Sequence, residues 1–450
     1  MSGSLKIGFG RVDITPRIGV ELCGFGPYLL RRSIGVRDRL WARAMAVQRG
    51  THRLVLMSAD LIGISASMTA MVRERVARET GLSPDGILTH ATHTHSGPGV
   101  GLYTGWGEPD GPTLELLPSR LAEACIQAVE NLQDATLSHA EIPCEGIGLN
   151  REYDRDAPPL AECLADDWRP AKPELTDTTC HIFAAKSPAG RLLGFVSYFG
   201  CHPVCCCSET RYIHGDYCGV ATNLLERENP GATGLFLQGA QGDVNSCVVH
   251  KPETESLLAL DVIAGRYACS VRHGLSVAKP VAIEEIAFRR RLVSFHCKNP
   301  GRDKLEAVRV ETEALLRASG ASDSDPSVRM ATVRLLGIRT ILKAMDQGKP
   351  VDRELEIQGF RLGPVAILAS PFEIFQAIKN EVKAGASAPI PLVVGISNGS
   401  GGYAVDRTAA ARGGYAADWV PVMQGNLPYV DIHGELVRAL LQVEDELWKG

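Results

Sequence analysis

Thr92-His93-Thr94-His95-Ser96-Gly97-Pro98 follows the apolar run Gly86-Ile87-Leu88. Two histidines separated by one residue lie on the same side of an extended chain, because side chains alternate along a β-strand. The glycine and proline after them end the strand and leave both imidazoles at its exposed end. This arrangement suits a metal ion or a developing charge, so further ligands are expected at the ends of other strands.

The rest of the chain alternates between predicted strands and predicted helices. Runs rich in Val, Ile, Leu and Phe with little polar alternation are typical of strands covered on both faces. They comprise residues 54–61, 87–92, 192–199, 234–238, 365–370 and 391–397. Helical periodicity is found in residues 65–80, 119–132, 220–227, 256–271 and 371–384. This order predicts an α/β fold with mixed, largely parallel β-sheets covered by helices.

Residues 299–350 differ from this pattern. Two charged helical stretches flank the polar break ASGASDSDP at residues 318–326. We interpret the region as a helical excursion inserted between core strands, so that residues 1–450 form a single domain. Residues 433–448 predict a closing amphipathic helix.

Composition narrows the class of protein. The chain has 450 residues, a formal net charge of −5 and no Lys/Arg stripe, which argues against nucleic acid as a partner. Thirteen cysteines without an apolar leader are typical of reduced thiols in a cytosolic enzyme. Neither a secretory signal nor an apolar run of about 18 residues is found. We therefore expect a cytoplasmic protein without stable membrane insertion and with unknown oligomeric state.

Polar side chains follow each predicted strand, where open α/β sheets gather their ligands. They include Asp60, His93, His95, His202, Asp243, Glu373 and Tyr403. Two or three histidine nitrogens with one carboxylate are a common zinc set that leaves a position open for water or substrate. Because zinc lowers the pKa of such a water to roughly 7, the set predicts hydrolysis near neutral pH.

The run Cys205-Cys206-Cys207 allows other interpretations. Three consecutive cysteines cannot all face one ion from a regular strand, although a thiolate metal site or a cysteine nucleophile beside His202 stays open. Small buried thiols that pack beneath a site are the favoured interpretation. The segments 213–217 and 241–245 are predicted to form polar turns, with or without a role in the site.

An ordered series of motifs between about residue 7 and residue 420 resembles the neutral/alkaline, non-lysosomal ceramidase family. The motifs are GRVDITP (10–16), ATHTHSGP (91–98), GLNR (148–151), CHPV (201–204), QGAQGDV (238–244), PFE (371–373) and GISN (395–398), which continues to Tyr403. The block at residues 91–98 is the most specific of them. The resemblance implies a zinc-dependent amide hydrolase with the fold of the family's catalytic domain.

The resemblance also implies roles for individual residues. The implied zinc ligands are His93, His202, Glu373 and Tyr403. His95 and Arg151 would contact the substrate, and Tyr415 would help to stabilise the tetrahedral intermediate. Reasoning from strand ends alone agrees on His93, His202 and Glu373, but it leaves His95 open as a further metal ligand.

Two departures from the family pattern bear on the mechanism. Asn245 stands where the ceramidases have a serine assigned a catalytic part, and Ser246 comes one residue late, so in extended chain it points the other way. The chain is also expected to lack the family's C-terminal β-sandwich domain and its secretory signal. Together these departures favour a zinc-activated water over a serine nucleophile, and a substrate other than long-chain ceramide.

The leading hypothesis is a zinc-dependent hydrolase that cleaves the N-acyl bond of a small or medium amide. Asp243 or the free oxygen of Glu373 would accept the proton of the attacking water. An esterase, lactonase or carbamate hydrolase with the same zinc site is an alternative. A non-catalytic metal-binding paralogue and a cysteine-dependent enzyme are the others.

Overall fold

The computed structural model describes residues 4–153 and 157–449, and three sheets form the core of these residues. The first sheet has the order β5-β4-β3-β1-β6 and contains β1 (Leu5–Asp13), β3 (Trp41–Arg49), β4 (His52–Ala59), β5 (Ile87–Ala91) and β6 (Gln133–Asp134). The second has the order β12-β10-β9-β7-β14 and contains β7 (Thr136–Pro143), β9 (Thr179–Lys186), β10 (Leu192–Phe199), β12 (Thr233–Gln238) and β14 (Lys279–Val281). The third has the order β15-β16-β17-β19 and contains β15 (Ile286–Phe295), β16 (Arg353–Leu362), β17 (Val365–Ala369) and β19 (Ile390–Val394).

Short strands pair outside these sheets. The pairs are β2 (Gly35–Val36) with β11 (Tyr212–Ile213), β8 (Gly148–Asn150) with β13 (Val244–Ser246), and β18 (Phe372–Ile374) with β20 (Gly402–Ala404). The helices are α1 (Ala66–Thr80), α2 (Gly111–Glu130), α3 (Leu160–Cys163), α4 (Asp216–Glu228), α5 (Glu253–Val277), α6 (Arg302–Leu316), α7 (Pro326–Asp346), α8 (Gln376–Gly385), α9 (Arg407–Arg412), α10 (Val420–Met423) and α11 (Ile432–Lys449). None of the helices in the described ranges is long and apolar enough to cross a lipid bilayer.

The mixed α/β class predicted from the sequence is confirmed. Parallel pairs occur between β4 and β5, β10 and β12, β17 and β19, and β18 and β20. Antiparallel pairs are nevertheless more numerous, because short connections join β3 to β4 and β16 to β17. The sheets are therefore less parallel than the sequence predicted, and parallel pairing is concentrated among the strands whose ends carry the candidate ligands.

Local signals set the bounds of α1. The Ser65 side chain accepts a hydrogen bond from the backbone N–H of Met68 at 3.1 Å, which caps the first turn. At the other end Gly81 has a φ of +69°, a left-handed conformation that glycine adopts without a Cβ penalty. The N-terminal part of the helix predicted over 371–384 is wrong, because Phe372–Ile374 form β18 and the helix begins at Gln376.

A central apolar cluster joins the three sheets. Leu56 of the first sheet, Val196 of the second and Ile367 of the third belong to the same buried group. Burial of a side chain of this size stabilises the fold by about 1.5–3 kcal/mol. The sheets therefore hold one another in position and fix the relative placement of their strand ends.

Hydrogen bonds of Gln238 connect the ends of β5, β10 and β12. Its Nε2 donates to the carbonyl oxygens of Thr92 at 3.2 Å and Cys201 at 3.0 Å, and its Oε1 accepts from the N–H of Cys201 at 3.2 Å. The backbone N–H of Gln238 donates to Nε2 of the buried His90 at 2.9 Å. This network holds the segments that carry His93 and His202 side by side.

The region between β15 and β16 contains α6 and α7, two helices that flank the polar break. Gly337 of α7 packs against the backbone of α10, where a Cβ would lie 1.8 Å from the carbonyl oxygen of Val422. Only glycine permits this approach. The contact brings Met330 of α7 and Met423 of α10 to the wall of the same cavity.

Candidate metal centre

The loop after β5 presents His93 to the interior. His93 has a φ of +72°, and its Nδ1 lies 2.6 Å from the carbonyl oxygen of Ile62. A carbonyl only accepts, so Nδ1 carries the proton and Nε2 keeps its lone pair. That Nε2 lies 3.5 Å from Oε2 of Glu373.

The segment after β10 orients His202 in the same way. Its Nδ1 donates to the carbonyl oxygen of Gln241 at 2.6 Å, and its Nε2 lies 3.1 Å from Oε2 of Glu373. Hydrogen bonds from Nδ1 to backbone carbonyls are the usual way in which proteins orient metal-binding imidazoles. Two Nε2 atoms and one carboxylate oxygen thus converge on a common point.

Glu373 and Tyr403 reach this point from β18 and β20. The two residues are direct partners in the parallel register of these strands. Burial alone would raise the pKa of Glu373, but His93 and His202 outweigh it and hold that pKa well below the ordinary value. Burial raises the pKa of the Tyr403 phenol, and the adjacent Arg151 cation opposes this shift.

The donor set is suited to a divalent metal ion. In the described part of the chain Glu373 forms ion-pair contacts with His93 and His202 and with no lysine or arginine. Two imidazole lone pairs aimed at a carboxylate oxygen repel one another unless a proton or a cation lies between them. Two histidines, a carboxylate and a neighbouring phenol match the ligand types of zinc and related first-row metals.

His95 completes a triangle of imidazoles. Its ring centroid lies 5.0 Å from that of His93 and 5.8 Å from that of His202, and the three offer ligand nitrogens within 4.8 Å of one another. Both nitrogens of His95 are buried and have no hydrogen-bond partner in the described ranges. The geometry therefore allows His95 to bind a metal or to face a substrate.

Arg151 follows β8 and contacts the turn after β12. Its backbone N–H donates to the carbonyl oxygen of Asp243 at 2.8 Å. Its side chain donates from Nη2 to the carbonyl oxygen of Gly242 at 2.6 Å and from Nη1 to Oδ1 of Asn245 at 3.4 Å. The guanidinium carbon lies 5.1 Å from the ring centroid of Tyr403, so the cation borders the proposed ligand set.

These side chains line a cavity of about 360 Å³. Its polar wall is formed by His93, His95, Arg151, His202, Asn245, Glu373, Tyr403 and Tyr415. Its apolar wall includes Phe25, Tyr103, Trp106, Met330, Val420 and Met423. Tyr415 is 50 % exposed as a residue, and its ring centroid lies 6.3 Å from that of Tyr403. Sequence reasoning missed the contributions of Phe25, Met330, Val420 and Met423, because no local pattern marks them.

Asp243 lies outside this cavity. Its Oδ1 accepts from the backbone N–H of Gln376 at 2.9 Å, and its Oδ2 accepts from Nδ2 of Asn150 at 3.0 Å. Burial raises its pKa to about 7. The carboxylate therefore links β8 to the first turn of α8, and its position gives no support to the predicted role as proton acceptor.

The run Cys205-Cys206-Cys207 is buried and does not line the cavity. Sγ of Cys205 lies 3.1 Å from Oγ of Ser246, and Sγ of Cys206 lies 3.5 Å from Nε2 of His214. Burial raises the pKa of the Cys205 and Cys206 thiols, which disfavours a thiolate nucleophile.

Cys206, His214 and Asp216 form a second group close enough to share an ion. However, Nδ1 of His214 accepts the backbone N–H of Asp216 at 3.1 Å. Nε2 then carries the ring proton in the neutral imidazole and offers no lone pair. The group is not prepared for a metal in this arrangement.

A family model described as "Neutral/alkaline non-lysosomal ceramidase, N-terminal" matches residues 5–249. The match covers more than half of the chain, and the chain belongs to this family. The neutral ceramidase of Mycobacterium tuberculosis is 28 % identical over 248 residues, which are 51 % of this chain and 37 % of that protein. The neutral ceramidase of Pseudomonas aeruginosa is 25 % identical over 263 residues, 55 % of this chain and 38 % of that protein. The matched segments thus span well under half of these relatives.

Solved structures share the fold over nearly the whole chain. The crystal structure of neutral ceramidase from Pseudomonas aeruginosa superposes with a TM-score of 0.73 at 18 % identity, covering 99 % of this chain and 75 % of that one. A structure titled "Ceramidase complexed with C2" gives the same score and identity, with 76 % of that chain covered. At this identity the likeness establishes the mixed α/β fold.

Proposed function

We propose that this protein is a zinc-dependent hydrolase that cleaves the N-acyl bond of a small or medium amide. The observation that carries the proposal is the convergence of the Nε2 atoms of His93 and His202 on Oε2 of Glu373, at 3.5 and 3.1 Å. Membership of the ceramidase family supports amide chemistry at this position in the fold.

His93, His202, Glu373 and Tyr403 would hold the ion. A zinc ion bound there acts as a Lewis acid and lowers the pKa of a bound water. The backbone carbonyls of Ile62 and Gln241 fix both imidazole tautomers. The Arg151 cation beside the Tyr403 ring favours the phenolate form that a metal ligand requires.

Other side chains act on the substrate. His95 and Tyr415 line the cavity and would donate hydrogen bonds to the oxygen on which negative charge develops, and Arg151 lines it as a donor to another oxygen of the substrate. Removal of one such donor typically lowers the rate by about 10²–10³-fold. Glu373 turns Oε2 toward both histidines, which leaves Oε1 to accept a proton and to return it to the departing nitrogen.

The size of the cavity favours a substrate smaller than long-chain ceramide. Its volume of about 360 Å³ lies at the lower end of the usual range for small-molecule sites. The apolar wall suits a short or medium acyl group. An ester, lactone or carbamate would use the same groups, so a panel of matched amides and esters decides between these bonds.

The test compares His93→Ala with His52→Ala, a matched change at an exposed histidine far from the site. Zinc content by atomic emission and hydrolysis of short N-acyl amides are measured for both variants and for the unmodified chain. The expected result is loss of zinc and turnover in His93→Ala alone. Full activity of a metal-free His93→Ala protein would refute the proposal, and zinc binding without hydrolysis of any substrate would favour a non-catalytic protein.

A further inference from the structure

Asn245 occupies the centre of β13 and faces the cavity. Its neighbours Val244 and Ser246 are buried, and Oγ of Ser246 lies 3.1 Å from Sγ of Cys205 on the core side. Because side chains alternate along a strand, the Asn245 side chain points away from the core, and it lines the cavity. A backbone bridge between His202 and Asn245 fixes its distance from the metal centre.

Arg151 determines how the Asn245 amide is oriented. The guanidinium can only donate, so the 3.4 Å contact from its Nη1 is to Oδ1 of Asn245. Nδ2 makes no hydrogen bond to another residue in the described ranges. Its two N–H groups are therefore free to donate into the cavity beside the arginine.

The positive charge of Arg151 has no carboxylate partner. The guanidinium donates to Oδ1 of Asn245 and the carbonyl oxygen of Gly242, and it forms no ion pair among the described residues. Glu373 supplies the one carboxylate among the described residues that line the cavity, and it faces His93 and His202. Arg151 thus brings to this wall a positive charge that pairs with no carboxylate among the described residues and that borders the Tyr403 ring.

A second buried cation lies behind the same cavity. Arg31 is 3 % exposed and donates to the carbonyl oxygens of Cys23, His95 and Thr210. Its guanidinium carbon lies 4.9 Å from the ring centroid of Phe25, which lines the cavity. No carboxylate pairs with Arg31 in the part of the chain described, so its charge adds to that of Arg151.

From this arrangement we propose that Arg151 and Asn245 form a subsite for a carboxylate on the amine half of the substrate. The inference rests on the proposed function and specifies its substrate class as N-acyl amino acids. The apolar wall takes the acyl group, so the carboxylate must belong to the other half. Water adds its oxygen to the acyl carbon, the C–N bond breaks, and the water protons pass to the departing nitrogen. The products are the carboxylate of the acyl group and an amino acid with a protonated amine, with no further reactant.

The experiment compares three substrates that differ at one group. N-octanoyl-phenylalanine, its primary carboxamide and N-octanoyl-phenylalaninol share the acyl chain and the amine skeleton. The expected kcat/KM of the zinc-loaded chain is roughly 10- to 100-fold higher for the acid, in line with charge-assisted hydrogen bonding. In Asn245→Asp the acid-to-carboxamide ratio should fall at least tenfold, because the new carboxylate neutralises Arg151 and repels the substrate.

Asn380→Asp is the matched control, since it introduces the same charge at an exposed asparagine outside the cavity. Its acid-to-carboxamide ratio should equal that of the unmodified chain. Calorimetry on metal-free protein provides a readout apart from turnover, with tighter binding of the acid than of the carboxamide expected. Asn245→Asp should abolish that difference.

The outcomes separate this inference from the proposed function. Hydrolysis of the carboxamide and the alcohol as fast as the acid would overturn the carboxylate subsite and leave the amide hydrolase intact. Absence of hydrolysis of all three by zinc-loaded protein would count against the proposed function. A calorimetric preference for the acid in that case would still support the subsite, and equal binding would reject it.

Discussion

Glu373 and Tyr403 lie opposite each other on two short parallel strands, β18 and β20. Paired strands are spaced about 4.8 Å apart by their backbone hydrogen bonds. The separation of the carboxylate and the phenol is therefore set by main-chain pairing. Candidate ligands on separate strands gain a fixed geometry in this way, which would limit the reorganisation needed to bind an ion.

Tyr403→Phe should weaken zinc binding by at least about tenfold while the fold is retained. The substitution keeps the buried ring and removes only the phenol oxygen. Competition with a chromogenic chelator measures the affinity, and circular dichroism monitors the fold. Tyr153→Phe, at an exposed tyrosine, is the control. Unchanged zinc affinity in Tyr403→Phe would remove the phenol from the ligand set.

Tyr415→Phe should lower kcat by about 10²–10³-fold and leave zinc content unchanged, because it removes a donor to the developing oxyanion. Steady-state kinetics on a short N-acyl amide, together with metal analysis, checks this prediction. Tyr212→Phe, outside the cavity lining, serves for comparison. An effect on KM alone would assign Tyr415 to substrate binding.

Gln238→Leu should destabilise the fold by about 2–4 kcal/mol, because it removes the side-chain partner of the Thr92 carbonyl and of the Cys201 N–H in a buried region. Zinc affinity should fall as well, since these groups precede His93 and His202. Urea unfolding gives the change in stability. Gln347→Leu, at an exposed helix end, should shift the unfolding midpoint little. Equal midpoints for the two variants would contradict the role assigned to Gln238.

Glu381 supplies a pH-dependent part of the stability. Hydrogen bonds from Arg407 and His433 lower its pKa to about 2, below the ordinary value of 4.5. Since the folded-state pKa is depressed, the stabilisation is present above pH 4.5 and is lost as the pH falls toward 2. The difference in urea midpoint between the unmodified chain and Glu381→Gln should thus shrink over this range. Glu74→Gln, which lacks an ion pair among the described residues, should show no such trend.

A chelator should abolish hydrolysis, whereas an alkylating agent should leave hydrolysis intact. Dipicolinate should abolish hydrolysis, and added zinc should restore it. Iodoacetamide on the native protein should label the exposed Cys269 and spare the buried run Cys205-Cys206-Cys207, whose accessible surface is 5 % or less. Mass spectrometry locates the adducts. Inactivation that follows modification of that run would revive the cysteine-dependent alternative.

Local sequence patterns predicted the elements whose two faces are equally buried. The strand predicted over 192–199 has those bounds in the structure, because it is covered on both faces. The long strands β1, β15 and β16 escaped notice, since their faces differ in exposure and do not form apolar runs. Residues 371–375 were predicted as helix, although pairing with a strand thirty residues later makes them extended.

In the candidate site, too, local sequence patterns predicted some residues, whereas long-range contacts position others that the sequence did not reveal. Strand ends predicted His93, His202 and Glu373 as ligand candidates, and the structure brings the three together. Asp243 follows a strand in the same manner, yet hydrogen bonds from Asn150 and Gln376 hold it in another cavity. Such long-range contacts have no signature in a single sequence. The part of the apolar wall formed by Met330, Val420 and Met423 was missed for this reason too, as it depends on how α7 and α10 pack.

The contact of Gly337 with the backbone of Val422 places part of the cavity wall on helices that carry none of the candidate ligands. The candidate metal centre is built on strand ends held by the central core, whereas Met330 and Met423 are carried by the helices α7 and α10. Replacement of residues on α7 would reshape the apolar wall of the cavity without touching the candidate ligands. Under the proposed function, a change of substrate selectivity could therefore leave the metal-binding residues intact, and it is best sought by randomising that helix.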